Sequence, residues 1–186
     1  INGINIKEYP IKNLRDLIGF VPQKATLFAG SIEENIRFGK EEATIEDMEK
    51  AANSAAASEF INKVDGRFGH ELMQGATNLS GGQKQRLSMT RAFIRKPKIL
   101  VLDDSTSAID AISEVQVQQA LTHDLPDTTV FIVSSKVSSI INADRILVME
   151  DGMIVASGTH DELIDNSEVY RSIYATQSGK GVLSYE

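Results

Sequence analysis

Two runs of four consecutive apolar residues, Ile99–Leu102 and Val130–Val133, constrain this chain more than any other feature. A strand apolar at successive positions has no solvent face, which is the pattern of a buried parallel sheet. Between them lies a helical segment, Ser113–His123. Helices alternating with such strands predict an α/β domain with a largely parallel core. Ile18 to Val21 reads as a further strand, stopped by Pro22, which cannot donate to a ladder.

The remaining segments are less regular. Leu27 to Phe38 reads as a loop leading into a helical turn, and Thr44 to Ile61 as one helix with an alanine-rich middle. Thr44 and Asp47 form a near capping box at its start. Val64 to Asn78 carries many loop formers and no sustained period. Ser80 to Arg95 is predicted helical, ended by Pro97, and Thr129–Val133 is predicted to be a buried strand. Arg145–Glu150 and Met153–Ala156 flank Asp151-Gly152, a strong hairpin signal. Short helices are expected at His160–Ile164 and Val169–Gln177, with a loose tail from Ser178 to Glu186. Ile1 to Ile6 reads as a turn between two short strands, and its entry in mid-pattern suggests a fragment of a longer protein.

Composition narrows the function classes. The 186 residues suit about one domain. The longest apolar runs are far short of the roughly twenty residues of a membrane-spanning helix. Cysteine is absent, which excludes a thiolate metal site, and three scattered histidines argue against zinc. With 19 Lys+Arg against 26 Asp+Glu the net charge is −7, which disfavours non-specific nucleic-acid binding.

Chemistry concentrates in two places. Leu79-Ser80-Gly81-Gly82-Gln83 puts two glycines at a helix start, where backbone can approach a ligand and free N–H groups favour an anion. Taken alone, the pair is better explained as a plain Ser N-cap and turn. Sixteen residues after Gln83 begins Ile99-Leu100-Val101-Leu102-Asp103-Asp104. This places carboxylates at the C-terminal edge of a sheet, where α/β proteins bind ligands and P-loop nucleotidases hold Mg²⁺.

In order, Gln83, Arg91-Ala92, Pro97 and Leu102-Asp103-Asp104-Ser105-Thr106-Ser107-Ala108-Ile109-Asp110 closely resemble the nucleotide-binding domain of ATP-binding cassette (ABC) transporters. Leu79–Gln83 matches the family's signature motif and Ile99–Asp103 its Walker B strand. Ser107–Asp110 matches the D-loop, and Phe20–Gln23 the Q-loop with Gln23 as its metal- and water-sensing glutamine. Leu27–Ile36 is similar to the stretch that follows the Q-loop in exporters, and Asn142–Ile146 with Asp151–Leu163 to the family's C-terminal part. The resemblance implies a P-loop NTPase-like (ABC ATPase) core with a helical subdomain, truncated at the N-terminus. The parts implied are 1–25 (end of the N-terminal part with the Q-loop), about 26–95 (helical subdomain and signature helix), about 96–178 (Walker B onward) and a tail at 179–186. It further implies ATP with Mg²⁺, the metal held by Gln23 and Asp103, and nucleotide contacts from Leu79, Ser80, Gly81, Gly82, Gln83 and Asp110.

Three departures qualify this. No G-x-x-x-x-G-K-[ST] phosphate loop occurs in these residues. Asp104 stands where the family has its catalytic glutamate, one methylene short of reaching the attacking water well. In Val133-Ser134-Ser135-Lys136, Ser135 stands where the family has its switch histidine. In the family, whose phosphate loop lies upstream of the part matched here, both catalytic positions act on the ATP held by the same polypeptide's loop, whereas the intact signature acts on the partner's. That pattern resembles the degenerate-site subunit of a heterodimeric exporter. The expected partners are a second nucleotide-binding domain, of a different chain, and the exporter's transmembrane domains at the cytoplasmic face of the cell membrane; nucleic acid is not expected. The assembled protein would be an ATPase.

Two other classes compete: a soluble ABC ATPase acting on nucleic acid, and a catalytically dead regulatory module. The first usually inserts a long coiled coil between Q-loop and signature; here about 55 residues without heptads join them. Asp104 and Ser135 favour the second for the chain's own site. Elsewhere, His70, His123 and His160 read as surface residues, Lys84 and Arg86 as a solvated helix face, and Tyr170 with Tyr174 as a packing pair. By family resemblance, Phe28 would face a transporter's coupling helix.

Overall fold

The computed structural model describes residues 1–178, so the tail expected at 179–186 lies outside the described residues. The chain forms two compact units, Ile1–Val133 and a smaller one from Ser134 onward.

The first unit opens with helix α1 (Ile11–Leu17) running into β1 (Ile18–Val21). After β2 (Gly30–Ser31) come α2 (Ile32–Arg37), α3 (Ile45–Ser54), α4 (Ser58–Lys63), β3 (Glu71–Leu72) and α5 (Gly81–Phe93). β4 (Ile99–Asp103), α6 (Ala111–His123) and β5 (Thr129–Val133) complete it. β1, β4 and β5 form a parallel sheet, as the apolar runs predict, and its order is β1-β4-β5. β2 and β3 pair antiparallel.

Two hydrophobic clusters organise this unit, and α5 serves both. Leu87, with Ile94 at the C-cap, belongs to the cluster of Ile32, Ile36, Met48 and Ile61 from the helical segment. Met89, Ala92 and Phe93 pack with Val21, Leu100, Leu102 and Val117 against the sheet. Fully burying each such aliphatic chain contributes about 1.5–3 kcal/mol, so α5 is locked between the helical layer and the sheet. Its N-terminus, and with it Ser80, is thereby placed by both.

The structure corrects several expectations. The helix expected over Thr44–Ile61 is two helices. Thr44 does cap α3, in a complete capping box with Asp47. Ala56, however, adopts φ 53, and Ala57 N–H bonds Ala52 O at 2.7 Å while Ala56 N–H bonds Asn53 O at 2.9 Å. This is a Schellman C-cap built without glycine. It turns the chain so that Ala55, Ala56 and Ala57 are all buried, a gain that propensity alone does not foresee.

The second correction concerns β5. It was expected to be buried, but its residues alternate exposed and half-buried. Phe20, Val101 and Phe131 lie in one register row, and Phe20 and Phe131 are 55% and 54% exposed. One face of the sheet packs on the core while the other is open, and β5 is an edge strand among the described residues. Third, Asn2 and Gly3 form the expected turn, closed by Ile4 N–H to Ile1 O at 2.9 Å, but no strands flank it. Asn5 instead caps a 3-10 turn over Ile6–Glu8. Fourth, Lys84 and Arg86 do not form a solvated face, as detailed below.

The second unit is a hairpin, β6 (Ile146–Glu150) and β7 (Met153–Gly158), followed by α7 (His160–Asn166) and α8 (Glu168–Gln177). Asp151 and Gly152 both take positive φ, 49° and 77°, as a two-residue turn of this type requires. Val137, Ile146, Val148, Leu163 and Tyr170 make its core. No helix among the described residues is long and apolar enough to cross a membrane.

Candidate functional site

The N-terminus of α5 is a complete capping box. Gln83 N–H donates to Ser80 Oγ at 3.3 Å and Ser80 N–H to Gln83 Oε1 at 2.8 Å. This satisfies two donors; the N–H groups of Gly81 and Gly82 have no acceptor inside the helix. Leu79 is buried and anchors the turn, while Ser80 and Gly81 are exposed. The two glycines differ. A Cβ on Gly82 would sit 2.8 Å from the Ala108 carbonyl, so Gly82 is required by close packing on the segment after β4. A Cβ on Gly81 would meet nothing within 4 Å, so nothing inside the chain requires glycine there.

β4 delivers the acids. Asp103 is its last residue, half-buried and in register with Val133. Asp104 then turns into the left-handed region at φ 44, a conformation that costs a non-glycine residue of order 1 kcal/mol or more. Three bonds hold it there: Asp104 N–H to Val133 O at 2.8 Å, Ser107 N–H to Asp104 O at 3.4 Å and Ser107 Oγ to Asp104 O at 2.8 Å. Gln23 Nε2 donates to Asp104 Oδ2 at 3.0 Å. Asp104 Oδ1 is buried without a hydrogen-bond partner. Q-loop glutamine and Asp104, 81 residues apart, are therefore brought together.

Asp110 caps α6. Its Oδ1 accepts from Ser113 N–H at 2.9 Å and its Oδ2 from Ser113 Oγ at 2.7 Å. These bonds, the backbone one foremost, hold its carboxyl below the usual aspartate range. Arg86 donates to the same Ser113 Oγ at 2.9 Å and to Ala56 O at 3.2 Å, and lies over the Phe60 ring. Its side chain is 14% exposed. Arg86 thus ties the signature helix to α6, a role its spacing does not reveal. Lys84 is bound to the Gly75 carbonyl at 2.9 Å.

The contacts of two further residues escaped sequence reasoning. Gln85 donates to Pro22 O at 2.9 Å and Arg91 to Thr26 O at 2.8 Å, so α5 holds both ends of the segment carrying Gln23. Arg91 lies 5.8 Å from the ring centroids of both Phe28 and Phe38, whose tilted rings are 5.0 Å apart; burial lowers its pKa. Phe28 and Phe38 are 47% and 71% exposed.

Ser135 belongs to the second unit. It is exposed, and its carbonyl accepts from Gln177 Nε2 at 2.6 Å. His160 is not the plain surface residue expected: its Nδ1 lies 2.9 Å from the Tyr170 hydroxyl, and its ring packs edge-on against Tyr170 and Tyr174. The two tyrosines do pack, through that shared histidine.

Among the described residues no group of three or more His, Cys, Asp or Glu could hold a metal by itself. The donors expected from the sequence are the Asp103 carboxylate, at the end of β4, and the Gln23 amide oxygen. One carboxylate and one neutral oxygen fit Mg²⁺, which binds through one or two protein oxygens while phosphates and water supply the rest. They would not suffice for a dedicated protein cage.

Residues 1–107 match the family described as ABC transporter. The chain is 43% identical, over 94% of its length, to an uncharacterized ABC transporter ATP-binding protein of Bacillus subtilis, covering 30% of that protein. It is 41% identical, over 96% of its length, to a putative multidrug export ATP-binding/permease protein of the same species, covering 31% of it. A solved structure of a bacterial Atm1-family ABC exporter with ATP bound superimposes with a TM-score of 0.92 at 30% identity, over 96% of this chain and 31% of that one. The chain thus spans about a third of the length of these relatives.

Proposed function

The chain belongs to the ABC transporter family, and from that premise we propose that it is the ATP-binding part of a membrane exporter. In this reading it works at the cytoplasmic face of the cell membrane, joined to transmembrane domains, and uses ATP with Mg²⁺. Its parts are the Q-loop end at 1–25, a helical subdomain with the signature helix at about 26–95, and the Walker B part at about 96–178. Phe28, exposed beside Phe38, is the side chain offered to the transmembrane domains.

The chain completes a partner's site in trans. The observation that carries this is the open space at Gly81. A helix N-terminus with unpaired N–H groups attracts phosphate, and a glycine that its own chain does not need leaves room for a ligand from outside. Ser80 Oγ accepts from Gln83 N–H and keeps its own O–H to donate. Asp110 stands with them as a proposed nucleotide contact, though its carboxylate also caps α6.

The chain's own site binds but hydrolyses slowly. Bound Mg²⁺ would neutralise phosphate charge there, held by Asp103 and Gln23. A general base must reach the proton it removes. Asp104 presents neither oxygen well, because Oδ2 serves Gln23 and Oδ1 is buried. Ser135 supplies no imidazole. A partner that differs from this chain, carrying the glutamate and histidine missing here, is the arrangement in which such a site persists.

The test is steady-state ATPase of the assembled transporter at saturating ATP. Ser80→Ala should lower turnover by about 10- to 100-fold, at or below the lower end of what losing one positioned oxyanion donor costs, and Asp104→Ala far less. Abolition by Asp104→Ala with near-normal turnover for Ser80→Ala would overturn the assignment.

A further inference from the structure

Asp104 is a poor base, yet the fold spends backbone strain and three hydrogen bonds to hold it in one place. Its Oδ2 accepts from Gln23, and this contact decides more than distance. The Gln23 NH₂ is the end that faces Asp104, donating to its Oδ2 at 3.0 Å, so the amide oxygen faces the other way. The two ends of the contact are unequal. Asp104 is fixed by Val133 and Ser107. Gln23 is exposed on a segment without regular structure, tied to α5 at Pro22 and Thr26 on either side of it. Asp104 is thus the fixed member and Gln23 the side chain that is oriented.

We propose that Asp104 is a positioning residue: by accepting from Gln23 Nε2 it turns the Gln23 amide oxygen outward as a ready ligand for the metal of Mg²⁺-ATP. The proposal rests on the ATP-binding reading above and deepens it. It gives the short acid a task that glutamate's task does not include. The chain's own site keeps its ability to bind metal–nucleotide although it has lost its base. An amide free to rotate would present NH₂ to the metal part of the time, and a cation repels that end.

The experiment uses the complete transporter and an azido-ATP photoprobe, with labelling of this polypeptide resolved from labelling of its partner. Probe affinity is measured with Mg²⁺ and with EDTA for the native protein, Asp104→Asn, Gln23→Ala and the double variant. Asp104→Asn keeps size and a hydrogen bond but lets the amide pair in either orientation. It should lose about three- to tenfold of the tightening that Mg²⁺ gives, the net scale of one ordinary hydrogen bond, with metal-free affinity little changed. Gln23→Ala should lose as much, and the double variant no more than either single one. If Asp104→Asn weakened Mg²⁺-dependent binding equally in the Gln23→Ala background, its effect would be plain loss of charge and the positioning role would be wrong. Unchanged Mg²⁺ tightening in Asp104→Asn would also overturn it, while leaving the ATP-binding reading intact. Failure of the native polypeptide to take the probe at all would overturn both.

Discussion

At the N-terminus of α5, Ser80 and Gly81 are exposed, two N–H groups lack acceptors within the helix, and a Cβ on Gly81 would touch nothing. At the C-terminus of β4, Asp104 is strained, bonded at its N–H and carbonyl, engaged by Gln23 through one oxygen and buried at the other. The first end has features that its own chain leaves unused; the second consumes its own. The difference separates a surface kept open for something outside from one already closed on itself. Conserving a motif's letters is compatible with either, so the geometry around each letter has to be read separately.

The largest effect expected from this contrast is at Gly81. Gly81→Asp should lower turnover of the assembled transporter by about 100-fold or more, by blocking backbone approach and placing negative charge beside phosphate. The same change should raise stability of the isolated chain by about 1 kcal/mol, because it removes a helical glycine and puts an acid at the positive end of the dipole. Thermal unfolding beside an ATPase assay checks both signs. A destabilised Gly81→Asp would mean that the space is needed by the fold.

At the acid end the comparison can be broken by restoration. Asp104→Glu alone should recover little hydrolysis at the chain's own site. Asp104→Glu with Ser135→His should recover about tenfold or more, since an acid–base group contributes about 10²–10⁴-fold when placed well. Turnover with the partner's site disabled is the readout, and full rescue by Asp104→Glu alone would refute two defects. Smaller still is Gly82→Ala. Its methyl would press on the Ala108 carbonyl at 2.8 Å, costing about 1–3 kcal/mol as overpacking. Denaturant unfolding should show this loss for Gly82→Ala and none for Gly81→Ala.

How much of this was legible in the sequence depends on the range of the interactions. The parallel pairing of the core strands, the start of α5 at Ser80 and the Asp151-Gly152 turn follow from local pattern, and the structure has them; the strand order does not follow from it. The break at Ala56 was not legible, because alanine favours helix and only burial of Ala55–Ala57 favours the turn. The exposure of Phe131 was hidden for a related reason: an apolar run reports that a face suits burial, not what covers it. At the site, the motifs named Gln23 and Asp104 but not their contact across 81 residues. Ser107 was within reach of local reasoning, since a hydroxyl three residues on can bond back to a carbonyl. Arg86 was not, because a charged residue on an exposed-looking helix position gives no sign that Ser113 and Ala56 will meet it.

The smallest effect concerns Asp110, where the two ends of the comparison come closest in chemistry. Its carboxyl is held below the ordinary value of about 3.9, first by the Ser113 backbone N–H and then by the Ser113 hydroxyl, with Arg86 a lesser cause. A carboxyl whose pKa is depressed on folding stabilises the folded state above its unfolded pKa. That contribution is lost as pH falls through the folded pKa. Ser113→Ala removes the hydroxyl donor but keeps the backbone one, so the pKa should rise part of the way and stay below the ordinary value. Acid unfolding should then begin at slightly higher pH. The hydroxyl also receives Arg86 from the signature helix, so the same variant unlinks α5 from the α6 cap. A carbon-detected NMR titration of Asp110 in Ser113→Ala and in the native chain measures the shift. Identical titration curves would mean that the hydroxyl relay from Arg86 through Ser113 to Asp110 does not form in solution. The open end of α5 would then be held by packing and by the bonds of Lys84, Gln85, Arg86 and Arg91 to backbone carbonyls, without the link to the α6 cap.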